Sequence, residues 1–127
     1  MSGKVLIVDD DPTVRESLRD LLERRGLSPV GAASDGNEAV SMAISLEPDV
    51  IVMDRMMPGM DGVEATRRIK QTQPQTQVIL LSAQLDGEVQ REGEGLGVYC
   101  YLAKGCSENL IADMVTRAIN LKNEFAG

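Results

Sequence analysis

The chain has 127 residues, 43% hydrophobic and 26% charged, with 13 Lys+Arg against 20 Asp+Glu for a net charge of −7. That length and balance predict one folded domain over residues 1–127, in the cytoplasm, since no apolar run approaches the roughly 18 residues of a membrane span and no secretory pattern opens the chain. The acidic average argues against nucleic-acid binding by this domain, and the lack of any histidine excludes histidine triads and His-ligated zinc.

Apolar runs and helical patterns alternate along the chain. Val5–Val8 reads as the first strand. Asp11-Pro12 then gives an N-cap followed by proline at the first helical position, with Val14, Leu18, Leu21 and Leu22 on one face and Gly26 as the stop. Pro29–Ala33 is the second strand, and Asp35-x-x-Glu38 resembles a capping box for a helix ending before Pro48. Val50–Met53 is the third strand, and Asp61-x-x-Glu64 opens the third helix in the same way. Val78–Leu81 is the fourth. The stretch from Asp86 to Gly97 contains four glycines, so its helix is predicted to be short. Val98–Leu102 is the last strand, and Leu110, Ile111, Met114, Val115, Ala118 and Ile119 form the stripe of a final helix starting near Ser107. Strictly alternating short strands and helices predict an α/β fold, a doubly wound parallel sheet of five strands flanked by five helices. Cys100 and Cys106 are read as reduced thiols, one in a strand and one in a loop.

The polar residues that follow these strands carry the chemistry. Asp9, Asp10 and Asp11 follow the first, Asp54 the third, Ser82 the fourth and Lys104 the last. The C-terminal ends of parallel strands share one edge, where α/β folds bind ligands. The topology therefore brings carboxylates, a hydroxyl and an ammonium together. Clustered carboxylates repel one another, and a hard divalent cation relieves the repulsion. Oxygen-only ligation suits Mg²⁺, with Mn²⁺ as a substitute. A carboxylate can also accept a phosphoryl group, whose oxygens a metal, a lysine and a hydroxyl would then neutralise. Asp11 fits an N-cap better than a ligand.

The motifs Val8-Asp9-Asp10, Met53-Asp54-Arg55-Met56-Met57-Pro58-Gly59-Met60-Asp61-Gly62, Leu81-Ser82-Ala83 and Tyr101-Leu102-Ala103-Lys104 resemble those of bacterial response-regulator receiver domains, and the likeness covers nearly the whole chain. The resemblance implies a flavodoxin-like fold of strand order 2-1-3-4-5 and a phosphorylation-activated switch of a two-component system. It makes Asp54 the phosphoacceptor. Asp9, Asp10, Asp54 and the backbone carbonyl of Met56 become the metal ligands, and Ser82, Tyr101 and Lys104 the phosphoryl-binding and switch residues. It implies a histidine kinase as phosphodonor and an output domain or partner protein. It also implies a homodimer through the fourth helix, last strand and last helix, and self-modification rather than turnover as an enzyme. Gly105 replaces the proline that often follows the lysine, so no cis bond is expected there. Tyr-Leu-Ala-Lys-Gly-x-Ser is similar to receivers that precede helix-turn-helix transcription domains.

Two other readings compete. Asp9-Asp10-Asp11-Pro12-Thr13 satisfies the D-x-D-x-[TV] signature of haloacid-dehalogenase-like phosphatases, with Asp9 as nucleophile, but it leaves the motif around Asp54 without a role. An atypical receiver acting as a phosphorylation-independent interaction module is the third.

Overall fold

Each strand of the chain returns to the same sheet through a helix. The structure, a computed structural model, describes residues 3–126, with side chains through Glu124. Residues 1, 2 and 127 of the predicted domain lie outside the described residues. In chain order the elements are β1 (Lys4–Val8), α1 (Pro12–Arg24), β2 (Ser28–Ala33), α2 (Gly36–Leu46), β3 (Val50–Asp54), α3 (Gly62–Thr72), β4 (Gln77–Ser82), α4 (Gly87–Glu92), β5 (Val98–Ala103) and α5 (Glu108–Ala126). The strands are all parallel in the order β2-β1-β3-β4-β5. The strands extend beyond the apolar runs, so Asp54 and Ser82 are the last residues of β3 and β4 rather than the first residues after them.

Alternation along the strands divides the core in two. Val5, Ile7, Val50, Val52, Ile79, Leu81 and Leu102 pack against Leu18, Leu21 and Leu22 of α1 and Ile111, Val115 and Ile119 of α5. Leu6, Val8, Ile51, Met53, Val78 and Leu80 pack on the other face against Ala39 and Ala43 of α2 and Ala65 and Ile69 of α3. Burying each large aliphatic side chain stabilises by roughly 1.5–3 kcal/mol. Helix α4 stands apart, because Val89 is its only buried residue.

The predicted aspartate caps are present, but the returning halves of both capping boxes differ. Asp11, Asp35 and Asp61 accept from the amides of Thr13, Glu38 and Glu64 respectively. The returning half of a capping box is missing at α3, where the Glu64 carboxylate pairs with Arg67 and Arg68 instead. Glu38 reaches back to the amide of Ser34, one residue before the cap.

Candidate functional site

Three carboxylates meet at the C-terminal edge of the two central strands. Oxygens of Asp9, Asp10 and Asp54 lie within 4.8 Å of one another. Asp9 and Asp54 are buried, whereas Asp10 is exposed. The placement follows from parity, since Asp9 continues the face of Val5 and Ile7, and Asp54 that of Val50 and Val52.

Lys104 reaches the same point from β5 only because the strand is irregular. The β4–β5 register shifts between Val78 and Ile79, pairing Val98 with Val78 but Cys100 with Ile79. One extra residue reverses the alternation. Val98 and Tyr101 therefore lie on the α2/α3 face, while Leu102, and by parity Lys104, lie on the α1/α5 face with the carboxylates. The ammonium of Lys104 donates to Asp54 Oδ2 at 2.9 Å and stands 3.4 Å from Asp9 Oδ2. Backbone bonds from Arg55 N to the Leu81 carbonyl and from Lys104 N to the Ser82 carbonyl, both 2.8 Å, tie the three strand ends together.

The carboxylates differ in how well they are satisfied. Asp54 Oδ1 accepts from the Met56 amide at 3.1 Å, and its other oxygen is held by Lys104. Asp9 Oδ1 accepts from the Asp11 amide at 2.9 Å, but Oδ2 is buried and accepts no hydrogen bond even with the ammonium nearby. Burial pushes the Asp9 carboxyl above the usual 3.8, against the opposing pull of the Asp11 amide and the Lys104 charge. Burial also opposes the charge on Lys104, yet the hydrogen bond to Asp54 and the charges of both aspartates outweigh it and raise its pKa. A buried carboxylate oxygen whose one cationic contact, the Lys104 ammonium at 3.4 Å, makes no hydrogen bond to it is what a hard cation would satisfy, so this donor set fits Mg²⁺. Arg15 fixes the loop below by donating to the Asp9 carbonyl at 2.7 Å.

Ser82 and Tyr101 make no hydrogen bond to this cluster, and Tyr101 lies on the other face of the sheet. The Ser82 hydroxyl is buried and donates to the Gln84 carbonyl at 2.6 Å, while the Gln84 amide donates back to it at 3.2 Å. It is therefore engaged by its own loop rather than by Asp54. The Tyr101 phenol oxygen is buried without a hydrogen-bond partner and packs at Gly93, where a Cβ would come within 2.5 Å of it. Met57 is buried and Met60 packs beside it, whereas the Met56 side chain is 61% exposed and takes no part in the packing. The Met56 amide, rather than its carbonyl, contacts Asp54.

Two contributors escaped sequence reasoning about the site. Gly62, the first residue of α3, packs so closely that a Cβ would lie 2.5 Å from the Asp54 carbonyl oxygen and 2.9 Å from Arg55 Cα. The Arg55 guanidinium makes a two-pronged bond to Glu92 at the end of α4, Nε to Oε2 at 3.0 Å and Nη2 to Oε1 at 2.7 Å. Cys100 and Cys106 are free thiols, and burial pushes Cys100 up to about 11, away from thiolate chemistry.

Known proteins are similar to this chain in sequence and in fold. The chain is 38% identical over 116 residues to the transcriptional regulatory protein LiaR of Bacillus subtilis, covering 91% of this chain and 55% of that protein. It is 38% identical over 126 residues to the response regulator protein VraR of Staphylococcus aureus, covering 98% of this chain and 60% of the relative. It thus spans little more than half the length of these curated relatives. Its fold matches the crystal structure of the response regulator domain of Thermotoga maritima CheB with a TM-score of 0.86 and 31% identity, covering 94% of this chain and 98% of that one. Residues 5–116, from the first strand into the first half of the last helix, match the family described as the response regulator receiver domain. Fold, strand order and an acidic pocket of the kind in which such domains generally bind Mg²⁺ thus agree, and the chain belongs to the response regulator receiver family of two-component systems.

Proposed function

We propose that this domain works in the cytoplasm and is switched by a phosphoryl group on Asp54, received from the phosphohistidine of a histidine kinase. The observation that supports this reading most directly is the Lys104 ammonium joining Asp54 to a second buried carboxylate, Asp9. In the transfer, the P–N bond to the donor imidazole breaks and an Asp54 carboxylate oxygen forms the new P–O bond. The P–N electron pair stays on the imidazole nitrogen, so the ring leaves neutral when its other nitrogen already carries a proton and otherwise takes one from solvent.

Asp9, Asp10, Asp54 and the Met56 carbonyl would hold Mg²⁺, which supplies charge neutralisation for the phosphoryl oxygens when bound. Lys104 already points at the acceptor and neutralises one further oxygen. Ser82 supplies the hydroxyl for another, after leaving Gln84. Tyr101 follows Ser82, and the change is read at the surface of α4, β5 and α5, by a second copy or an output partner. The chain modifies itself and is not a turnover enzyme.

The relatives' names connect the domain to transcription, and their greater length is consistent with a DNA-binding output supplied by a further domain. No helix among the described residues is long and apolar enough to cross a membrane. No observation favours the phosphatase reading, whose second acid, Asp11, is occupied in capping α1.

Incubation with acetyl phosphate and Mg²⁺, followed by peptide mass mapping, tests the assignment. A single phosphoryl group on the peptide carrying Asp54, lost in Asp54→Asn, is the expected result. Phosphoryl on Asp9 would transfer the reading to the phosphatase class.

A further inference from the structure

The switch needs a helix that can move, and α4 is weakly held by packing. It has six residues, of which Val89 alone is buried, and the residues that follow it include Gly93, Gly95 and Gly97. Its firmest described tether is ionic, the two-pronged bond from Arg55 to Glu92. Two parallel N–H···O bonds fix both position and orientation, which a single lysine contact would not. The Arg55 side chain is 16% exposed and that of Glu92 38%, so solvent screens this pair from the Glu92 side while the guanidinium end is shielded. Arg55 is also the residue after Asp54, and its backbone is bonded on both sides, to the Leu81 carbonyl and from the Gly62 amide. The anchor of α4 therefore stands on the backbone that carries the acceptor.

A second group at the same place opposes the tether. The Tyr101 phenol lies beneath the end of α4, against Gly93, buried and with no hydrogen-bond partner. A buried hydroxyl without a partner disfavours the arrangement that holds it there. One group thus stabilises the present position of α4 and its neighbour destabilises it.

We propose that Arg55 and Glu92 form a latch that holds α4 in its resting position against the unsatisfied Tyr101 hydroxyl, and that the balance of the two sets how readily this receiver switches. The proposal rests on Asp54 being the phosphoacceptor only for its second half, the coupling to phosphorylation. The latch itself belongs to the unphosphorylated chain. By linkage, weakening it shifts the resting population toward the switched state, and whatever binds the switched state better then binds more readily.

Backbone amide shifts and hydrogen exchange over residues 86–101 test both halves, using Glu92→Gln, Arg55→Glu, Glu92→Arg and the exchanged pair Arg55→Glu/Glu92→Arg. Without any phosphoryl mimic, each single variant should exchange its α4 amides about three- to tenfold faster than the wild type, the range for losing a partly exposed charge-assisted bond. The exchanged pair should restore protection. Tyr101→Phe should act in the opposite sense and slow exchange. Unchanged α4 exchange in the single variants, or no recovery in the exchanged pair, overturns the latch.

With beryllofluoride and Mg²⁺ added, the single variants should already lie part of the way along the wild-type shift path before the addition. Shifts off that path overturn the coupling. Should the wild type fail to respond to beryllofluoride at all, the Asp54 reading and the coupling both fail, while the exchange data still decide the latch.

Discussion

Lys104 donates to Asp54 across β4, which lies between their strands, and it makes this contact because the β5 register irregularity turns its side chain toward the carboxylates. The bond does two things at once. It offsets the repulsion of Asp54 and Asp9 in the resting chain, and it places a cation where phosphoryl oxygens would arrive. Removing the ammonium leaves two buried carboxylates facing each other.

Lys104→Ala should therefore destabilise the metal-free chain by about 1–3 kcal/mol, the range for breaking a partly buried ion pair that retains solvent contact. Mg²⁺ should recover part of the loss, because a cation that binds only the native state stabilises it by mass action. Thermal melts in chelator and in Mg²⁺ check this. Equal melting temperatures for wild type and variant in chelator would remove Lys104 from its stabilising role.

Asp9 is the carboxylate whose charge is least well satisfied, since its buried Oδ2 accepts no hydrogen bond. Asp9→Asn retains an oxygen for the Asp11 amide and discards the charge. It should raise the stability of the metal-free chain by about 1 kcal/mol and reduce the stabilisation that Mg²⁺ gives. Chemical denaturation with and without Mg²⁺ measures both effects. A variant less stable than wild type in chelator would show that Asp9 is already satisfied.

Gly62 should be intolerant of the smallest substitution. An added methyl group would meet the Asp54 carbonyl and Arg55 Cα, both backbone, at 2.5 and 2.9 Å. Gly62→Ala should cost about 1–3 kcal/mol, typical of overpacking, despite the better helix propensity of alanine. Gly87→Ala, whose nearest neighbour is the flexible end of Arg91 at 3.3 Å, serves as the control and should be neutral or mildly stabilising. A thermal melt of each variant decides the matter.

At the opposite edge of the sheet, Asp49 predicts an acid dependence. Burial works against its charge, but hydrogen bonds from Lys122 and from the Lys4 amide prevail and hold the carboxyl below its ordinary 3.8. A group with a depressed folded pKa contributes stability above its unfolded value and loses it as pH falls through the folded one. Asp49→Asn should therefore be less stable than wild type by about 1–2 kcal/mol at neutral pH, and the gap should close below pH 3.8. Urea midpoints across that range test it, and a gap independent of pH would count against the ion pair with Lys122.

The strand order came only with the family resemblance, but the strands and the convergence of Asp9, Asp10, Asp54 and Lys104 were legible because each polar residue stands at or just beyond the end of an apolar run. A parallel sheet leaves one edge for such residues to share. The caps were legible for a similar local reason, since an aspartate finds its amide two or three residues on. What was hidden depends on distance or register. Val98–Leu102 is apolar throughout, so nothing in it marks the extra residue that puts Lys104 on the correct face. Arg55 and Glu92 are 37 residues apart, and each taken alone reads as a solvated charge. Gly62 reads as an ordinary first-turn glycine until α3 is seen against the end of β3.

The most direct test of the account is an amide-shift map of the chain with Mg²⁺, before and after beryllofluoride, in wild type and in Ser82→Ala. In this structure the Ser82 hydroxyl is bonded to Gln84, so a phosphoryl mimic on Asp54 has to draw it away. The account predicts shifts around Asp54 in both proteins, together with shifts from Asp86 to Tyr101 that are large in wild type and weakened in Ser82→Ala. Shifts around Asp54 with no change from Asp86 to Tyr101 in wild type would contradict it.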